Sequence, residues 1–138
     1  MTEKSALENN RGKPLNVMLG DFCYYNRHTL YSRYTPLAIG QIAQYAKQEF
    51  GKDVRVSLFK NAEKFLDQAV QNRPDVVAFS VYYWALAQTQ YVVDRLRKMF
   101  GKNAIIILGG SCIDSDSQEQ KKLFTLDINP VTNLIVFF

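Results

Sequence analysis

Val76-Val77-Ala78-Phe79-Ser80 decides the fold: four apolar residues, preceded by Pro74-Asp75, run straight into a hydroxyl. No polar residue interrupts the run, so it reads as a strand buried on both faces, as in a parallel sheet. Two counterparts lie elsewhere in the chain. Leu15–Leu19 runs into Gly20-Asp21, and Ile105–Leu108 runs into Gly109-Gly110. In an open parallel sheet, ligands bind in the crevice outside the carboxyl ends of the strands. Glycine there lets a bulky ligand approach the main chain, because it has no Cβ to collide with it. Six of the eight tyrosines and the only tryptophan follow the first or third strand: Tyr24, Tyr25, Tyr31, Tyr34, Tyr82, Tyr83 and Trp84. That edge suits something large, flat and partly apolar.

Between the strands, the apolar residues take a helical period, which predicts βαβ units. Pro36 opens a helix with apolar positions Ile39, Ile42, Ala43, Ala46 and Phe50, closed by Gly51. Val54, Val56 and Leu58 alternate with Arg55, Ser57 and Phe59, so the second strand is half-exposed and belongs at an edge. Phe65, Leu66, Ala69 and Val70 mark a second helix. Leu86, Val92, Val93, Leu96 and Phe100 mark a third, ended by Gly101. Ser115 to Leu123 is a weaker fourth, and Leu134–Phe138 reads as a fifth strand. The expected architecture is a flavodoxin-like (Rossmann-like), doubly wound α/β domain with a five-stranded parallel sheet in the order 2-1-3-4-5, lacking the final helix. Its switch point falls between strands one and three, where the aromatic residues cluster.

A chain of 138 residues is one domain, here expected over 14–138 after a polar lead-in at 1–13. The start carries no apolar signal segment, and no run is long enough to span a bilayer. Cys23 and Cys112 lack disulfide or metal spacing, and a reducing cytoplasm is the expected setting. The net charge of +4 comes from lysines and arginines scattered over helix faces, so no nucleic-acid footprint is expected. The closing Leu-Ile-Val-Phe-Phe is an apolar strand with nothing after it to cover it, which suggests a truncated chain or a covering partner.

The strand ends and the first helix resemble cobalamin (B12)-binding domains of the methionine synthase and mutase type. They resemble more closely the N-terminal domains of cobalamin-dependent radical S-adenosylmethionine (SAM) enzymes. Against the family motif Asp-x-His-x-x-Gly stands Thr35-Pro36-Leu37-Ala38-Ile39-Gly40, with Gly40 kept, Thr35 for the aspartate and Leu37 for the histidine. Ser80-Val81-Tyr82 stands for Ser-x-Leu, and Gly109-Gly110 for the glycine pair. Pro-Leu-Ala-Ile-Gly and Ser80-Val81-Tyr82-Tyr83-Trp84 look like the radical-enzyme versions. The resemblance implies a cobalamin-binding set of Asp21, Tyr34, Pro36, Leu37, Gly40, Ser80, Tyr82, Trp84, Gly109, Gly110 and Ser111, with the serine and glycines lining the slot for the nucleotide tail.

Without the motif histidine, the implied mode is base-off and His-off, with no metal ligand and no catalytic residue from this chain. The Gly-Glu-Gly turn and the Cys-x-x-x-Cys-x-x-Cys motif of the radical enzymes are not present. The iron–sulfur cluster, SAM and the radical chemistry would therefore belong to a longer parent or a partner catalytic domain.

The single residues have plainer readings. His28, the only histidine, reads as a solvated loop residue rather than a cobalt ligand. Cys23, flanked by apolar residues, reads as a buried thiol. Tyr24, Tyr25, Tyr31 and Tyr34 could stack on a corrin or cement loops. A receiver domain would need an acidic cluster and a phosphorylatable aspartate, where this chain has Asp21 alone and Ser80. A flavin or dinucleotide module would need a short phosphate turn, and the segment from Asp21 to Thr35 is too long and too aromatic. The remaining alternative is a cofactor-free docking domain whose aromatic edge contacts protein.

Overall fold

The computed structural model describes residues 12–26, 29–31, 35–112 and 134–136. Its main sheet is built from β1 (Leu15–Gly20), β4 (Val54–Phe59), β5 (Val76–Ser80), β6 (Ile105–Gly109) and the short β7 (Leu134–Val136). Every pairing in it is parallel, and the order is β4-β1-β5-β6-β7. Counted along this sheet, that is the expected 2-1-3-4-5. The helices are α1 (Leu37–Phe50), α2 (Ala62–Gln71) and α3 (Leu86–Phe100). The weak helix expected at Ser115 to Leu123 lies outside the described residues.

Side-chain parity along the strands separates the two faces. Met18, Val77, Phe79, Ile106 and Leu108 point to one face and join Phe65, Ala69, Val92, Val93 and Leu96 from α2 and α3 in the main core. Phe65 is its aromatic centre, with Phe22, Phe59 and Phe79 at ring-centroid distances of 5.8, 5.2 and 5.1 Å. On the other face α1 buries Ile39 and Ala43 against Leu19. This division follows from right-handed crossovers, since β1 to β4 runs one way across the sheet and β4 to β5 to β6 the other.

The helix ends are set locally. Gly51 and Gly101 sit at φ 53° and 58° and donate their N–H groups to the carbonyls of Lys47 and Arg97, ending α1 and α3 as expected. The Asn61 side chain accepts from the Lys64 N–H at 2.9 Å and starts α2. Pro36 stands one residue before α1, which begins at Leu37.

Two local expectations change. The segment after β1, read as loop, holds an antiparallel pair, β2 (Tyr24–Asn26) with β3 (Thr29–Tyr31). Aromatic and β-branched residues favour strands, and this propensity is what reading the segment as a ligand-facing loop overlooked. The small residues Gly20, Ser80 and Gly109 are the last paired residues of their strands rather than the first of the loops.

Candidate functional site at the carboxyl edge

All strands of the main sheet are parallel, so Gly20, Ser80 and Gly109 end at one edge. The chain leaves β1 toward β4 and later returns on the far side of β1 as β5. The connections therefore diverge between these two strands, and a crevice opens there. A cleft of about 360 Å³ occupies it, lined by Asp21, Thr35, Pro36, Leu37, Ala38, Tyr82 and Trp84.

Backbone hydrogen bonds hold each wall. Beyond β1, the Asp21 and Cys23 N–H groups donate to the carbonyls of Phe59 and Lys60, both at 2.9 Å. This clamp keeps Asp21, only 2% exposed, at the base of the crevice. Beyond β5, the Val81 N–H donates to the Gly109 carbonyl at 2.6 Å and the Cys112 N–H to the Val81 carbonyl at 3.2 Å. Val81 is thereby buried in the core, and Tyr82 and Trp84 emerge at the cleft. Their rings stack with centroids 4.8 Å apart and planes 6° from parallel. Trp84 is 51% exposed and Leu37 67%, so large apolar groups line the cleft and reach solvent.

Of the residues singled out from sequence, the fold brings Asp21, Pro36, Leu37, Tyr82 and Trp84 into one cleft. Ser80 and Gly109 lie side by side in register on neighbouring strands, and Ser111 is exposed beyond them. Tyr34 and His28 lie outside the described residues. Cys23 is fully buried, in keeping with its reading as a core thiol. Sequence reasoning passed over Thr35 and Ala38 as site residues. Their position in the Thr-Pro-Leu-Ala run, at the start of the helix after β1, was the available signal.

The glycines divide into two kinds. At Gly110, φ is 118° and an added Cβ would stand 2.7 Å from the Val81 carbonyl oxygen, so this glycine is required by the neighbouring main chain. At Gly20 an added Cβ would stand 2.7 Å from the Phe79 ring. Gly40 differs: it lies inside α1, half-buried, and an added Cβ would meet nothing within 4 Å. Glycine costs about 1 kcal/mol relative to alanine inside a helix. No contact within the described chain accounts for that cost at Gly40.

The α1 side of the central strands is also only partly covered. Val76, Ala78 and Ser80 on β5, with Ile107 and Gly109 on β6, are half-buried, and Ile105 is exposed, while the intervening Val77, Phe79, Ile106 and Leu108 are buried. Among the described residues no three His, Cys, Asp or Glu side chains gather to hold a metal ion, and no helix is long and apolar enough to cross a membrane.

Comparison with known proteins agrees with this geometry. The solved structure of a novel cobalamin-binding protein from Desulfitobacterium hafniense DCB-2 superposes with a TM-score of 0.53 at 16% identity, covering 87% of this chain and 55% of that one. At that identity the likeness is one of fold. This chain thus spans little more than half the length of that protein. No curated protein matches the sequence. The B12 binding domain model matches residues 26–128, well over half of the chain, and the chain belongs to the B12 binding domain family.

Proposed function

We propose that this domain holds cobalamin base-off and His-off, with the corrin at the cleft and the nucleotide tail along the half-covered strands beside α1. The observation that carries this reading is the cleft itself. It opens at the switch point of a B12 binding domain, one wall is a stacked Tyr82–Trp84 pair, and its lining includes Leu37, which the resemblance sets against the motif histidine.

The residues present fit such a group. A corrin with its amide side chains is larger than the cleft, so it would grip one edge and rest on the apolar rim of Leu37 and Trp84. Flat aromatic surface suits a flat macrocycle. Gly40 leaves open space on the first helix, and Ser80 with Gly109 offers a hydroxyl and bare main chain to the polar tail. Leu37 has no lone pair to give a metal, so the lower face of cobalt would meet hydrocarbon, water or nothing. Asp21 can hydrogen-bond a corrin amide from the base of the cleft, and Tyr82 and Trp84 exclude water from that side.

Bound cobalamin would supply cobalt-centred group transfer to a catalytic domain facing the open side. Residues 14–138 would be the cobalamin module of a cytoplasmic B12-dependent radical SAM enzyme. The iron–sulfur cluster and SAM would be held by its catalytic domain, in cis or in trans. The Pro36–Gly40 and Ser80–Trp84 stretches support this parentage through their resemblance to that branch.

The test is an absorbance titration of purified protein with hydroxocobalamin and methylcobalamin, followed by desalting. Stoichiometric, retained cobalamin with a base-off spectrum is expected. A base-on spectrum would refute the tail's placement beside Ser80 and Gly109. Folded protein that retains none would favour the docking reading.

A further inference from the structure

Among the described residues, Asp21 and Thr89 are the polar side chains buried in the fold. Thr89 is accounted for within α3, where its hydroxyl donates to the Ala85 carbonyl at 2.9 Å. Asp21 is the carboxyl group of the two, and it lines the cleft. Burying a carboxylate is costly unless its surroundings favour the charge.

The neighbouring wall does favour it. The first turn of α1 holds no acidic residue, and Pro36 at its N-cap makes no side-chain bond. The Leu37 N–H donates to the Thr35 carbonyl at 2.8 Å, and Ala38, the next residue, lines the cleft. The start of a helix carries partial positive charge and favours an anion. Asp21, on the same cleft, is the anion that this chain brings to it.

A second anion would find no such partner. Thr35, Pro36, Leu37, Ala38, Tyr82 and Trp84 complete the lining, with no lysine, arginine or histidine among them. Two carboxylates in one poorly solvated site repel, and ionising both is disfavoured. A neutral N–H donor meets the opposite reception. An ionised carboxylate accepts about four hydrogen bonds through its two oxygens, so partners elsewhere do not exhaust Asp21. The rim of cobalamin carries primary carboxamides, which donate. Incompletely amidated corrinoids carry carboxylates at the same places.

We infer that Asp21 makes the site selective for amidated corrinoids, accepting a hydrogen bond from one ring carboxamide and rejecting the corresponding carboxylic acid. The inference rests on the cobalamin reading above and adds the chemical class of corrinoid that the site admits.

Absorbance titration of the full chain reads the selectivity, using cobalamin, its isomeric monocarboxylic acids with one ring amide hydrolysed in each, and their methyl esters. At least one acid isomer should bind ~10-fold or more weakly than cobalamin, because it sets like charges together. Its ester lacks the donor but carries no charge, so its affinity should fall between the two. Asp21→Asn removes the charge with little change of shape, and circular dichroism checks that it folds. In that variant the same acid and cobalamin should differ by less than ~3-fold. Wild-type protein that binds every acid isomer as tightly as cobalamin overturns the inference and leaves the cobalamin reading standing. Folded wild type that binds neither cobalamin nor its acids refutes that reading and the inference with it. A penalty that persists in Asp21→Asn overturns the role of Asp21. Should Asp21→Asn not fold, the ester decides in the wild type: an ester as weak as its acid means that charge is not what the site rejects, which overturns the inference.

Discussion

Gly40→Ala adds one methyl group to the beginning of α1, where that methyl would have no neighbour within 4 Å. The residue is helical, and its backbone is not in the left-handed region, so alanine introduces no strain. Helix propensity then favours the variant by about 1 kcal/mol. For a chain of this length, that raises Tm by about 3–5 °C. Binding should move the opposite way. If the open space at Gly40 borders the cofactor, a methyl there overpacks the contact by about 1–3 kcal/mol, which weakens cobalamin by roughly 5- to 150-fold. Thermal melting without cobalamin and an absorbance titration with hydroxocobalamin read the two effects separately. A variant less stable than wild type would refute the account of an open, unstrained helix position. One that is more stable but binds cobalamin unchanged would remove Gly40 from the site.

Gly110→Ala should destabilise the chain by about 2–4 kcal/mol, from a positive φ and a clash with the Val81 main chain; urea unfolding measures it, and an unchanged midpoint contradicts the contact. Leu37→His puts an imidazole at a 67% exposed position, so stability should change by less than about 0.5 kcal/mol. Bound cobalamin should gain the absorbance of a histidine-ligated form, and an unaltered spectrum would mean that Leu37 does not stand beneath cobalt. Trp84→Ala removes the stack on Tyr82, worth about 0.5–1.5 kcal/mol, and should lower cobalamin retention after desalting; equal retention would exclude this wall from the site. Arg97→Ala deletes donors to the Gly101 and Ala104 carbonyls at 2.9 and 3.0 Å. It should cost about 1 kcal/mol in urea unfolding while leaving the cobalamin titration as in wild type.

By itself the sequence determined the strands of the main sheet, the three helices between them and their order. Strand type followed from uninterrupted runs such as Val76–Phe79, and helix limits from Gly51 and Gly101, because periodicity and left-handed caps are properties of neighbouring residues. The alternation in Val54–Phe59 also placed the edge strand, since half-burial leaves its mark on every second residue. The pair of short strands at 24–31 was not read, because three-residue strands are too short to set up a pattern against aromatic residues that suit several environments.

The tertiary structure decided what each small residue is for. Gly110 and Gly40 look alike in the sequence. Only the packing of Val81 against one, and the empty space beside the other, distinguishes a glycine required by the fold from one with no such requirement. It also brought Asp21, Thr35–Ala38, Tyr82 and Trp84, three separate stretches, into one cleft. That convergence depends on parallel strands ending at one edge and on crossovers leaving in opposite directions, which are relations between distant parts of the chain that no local pattern encodes.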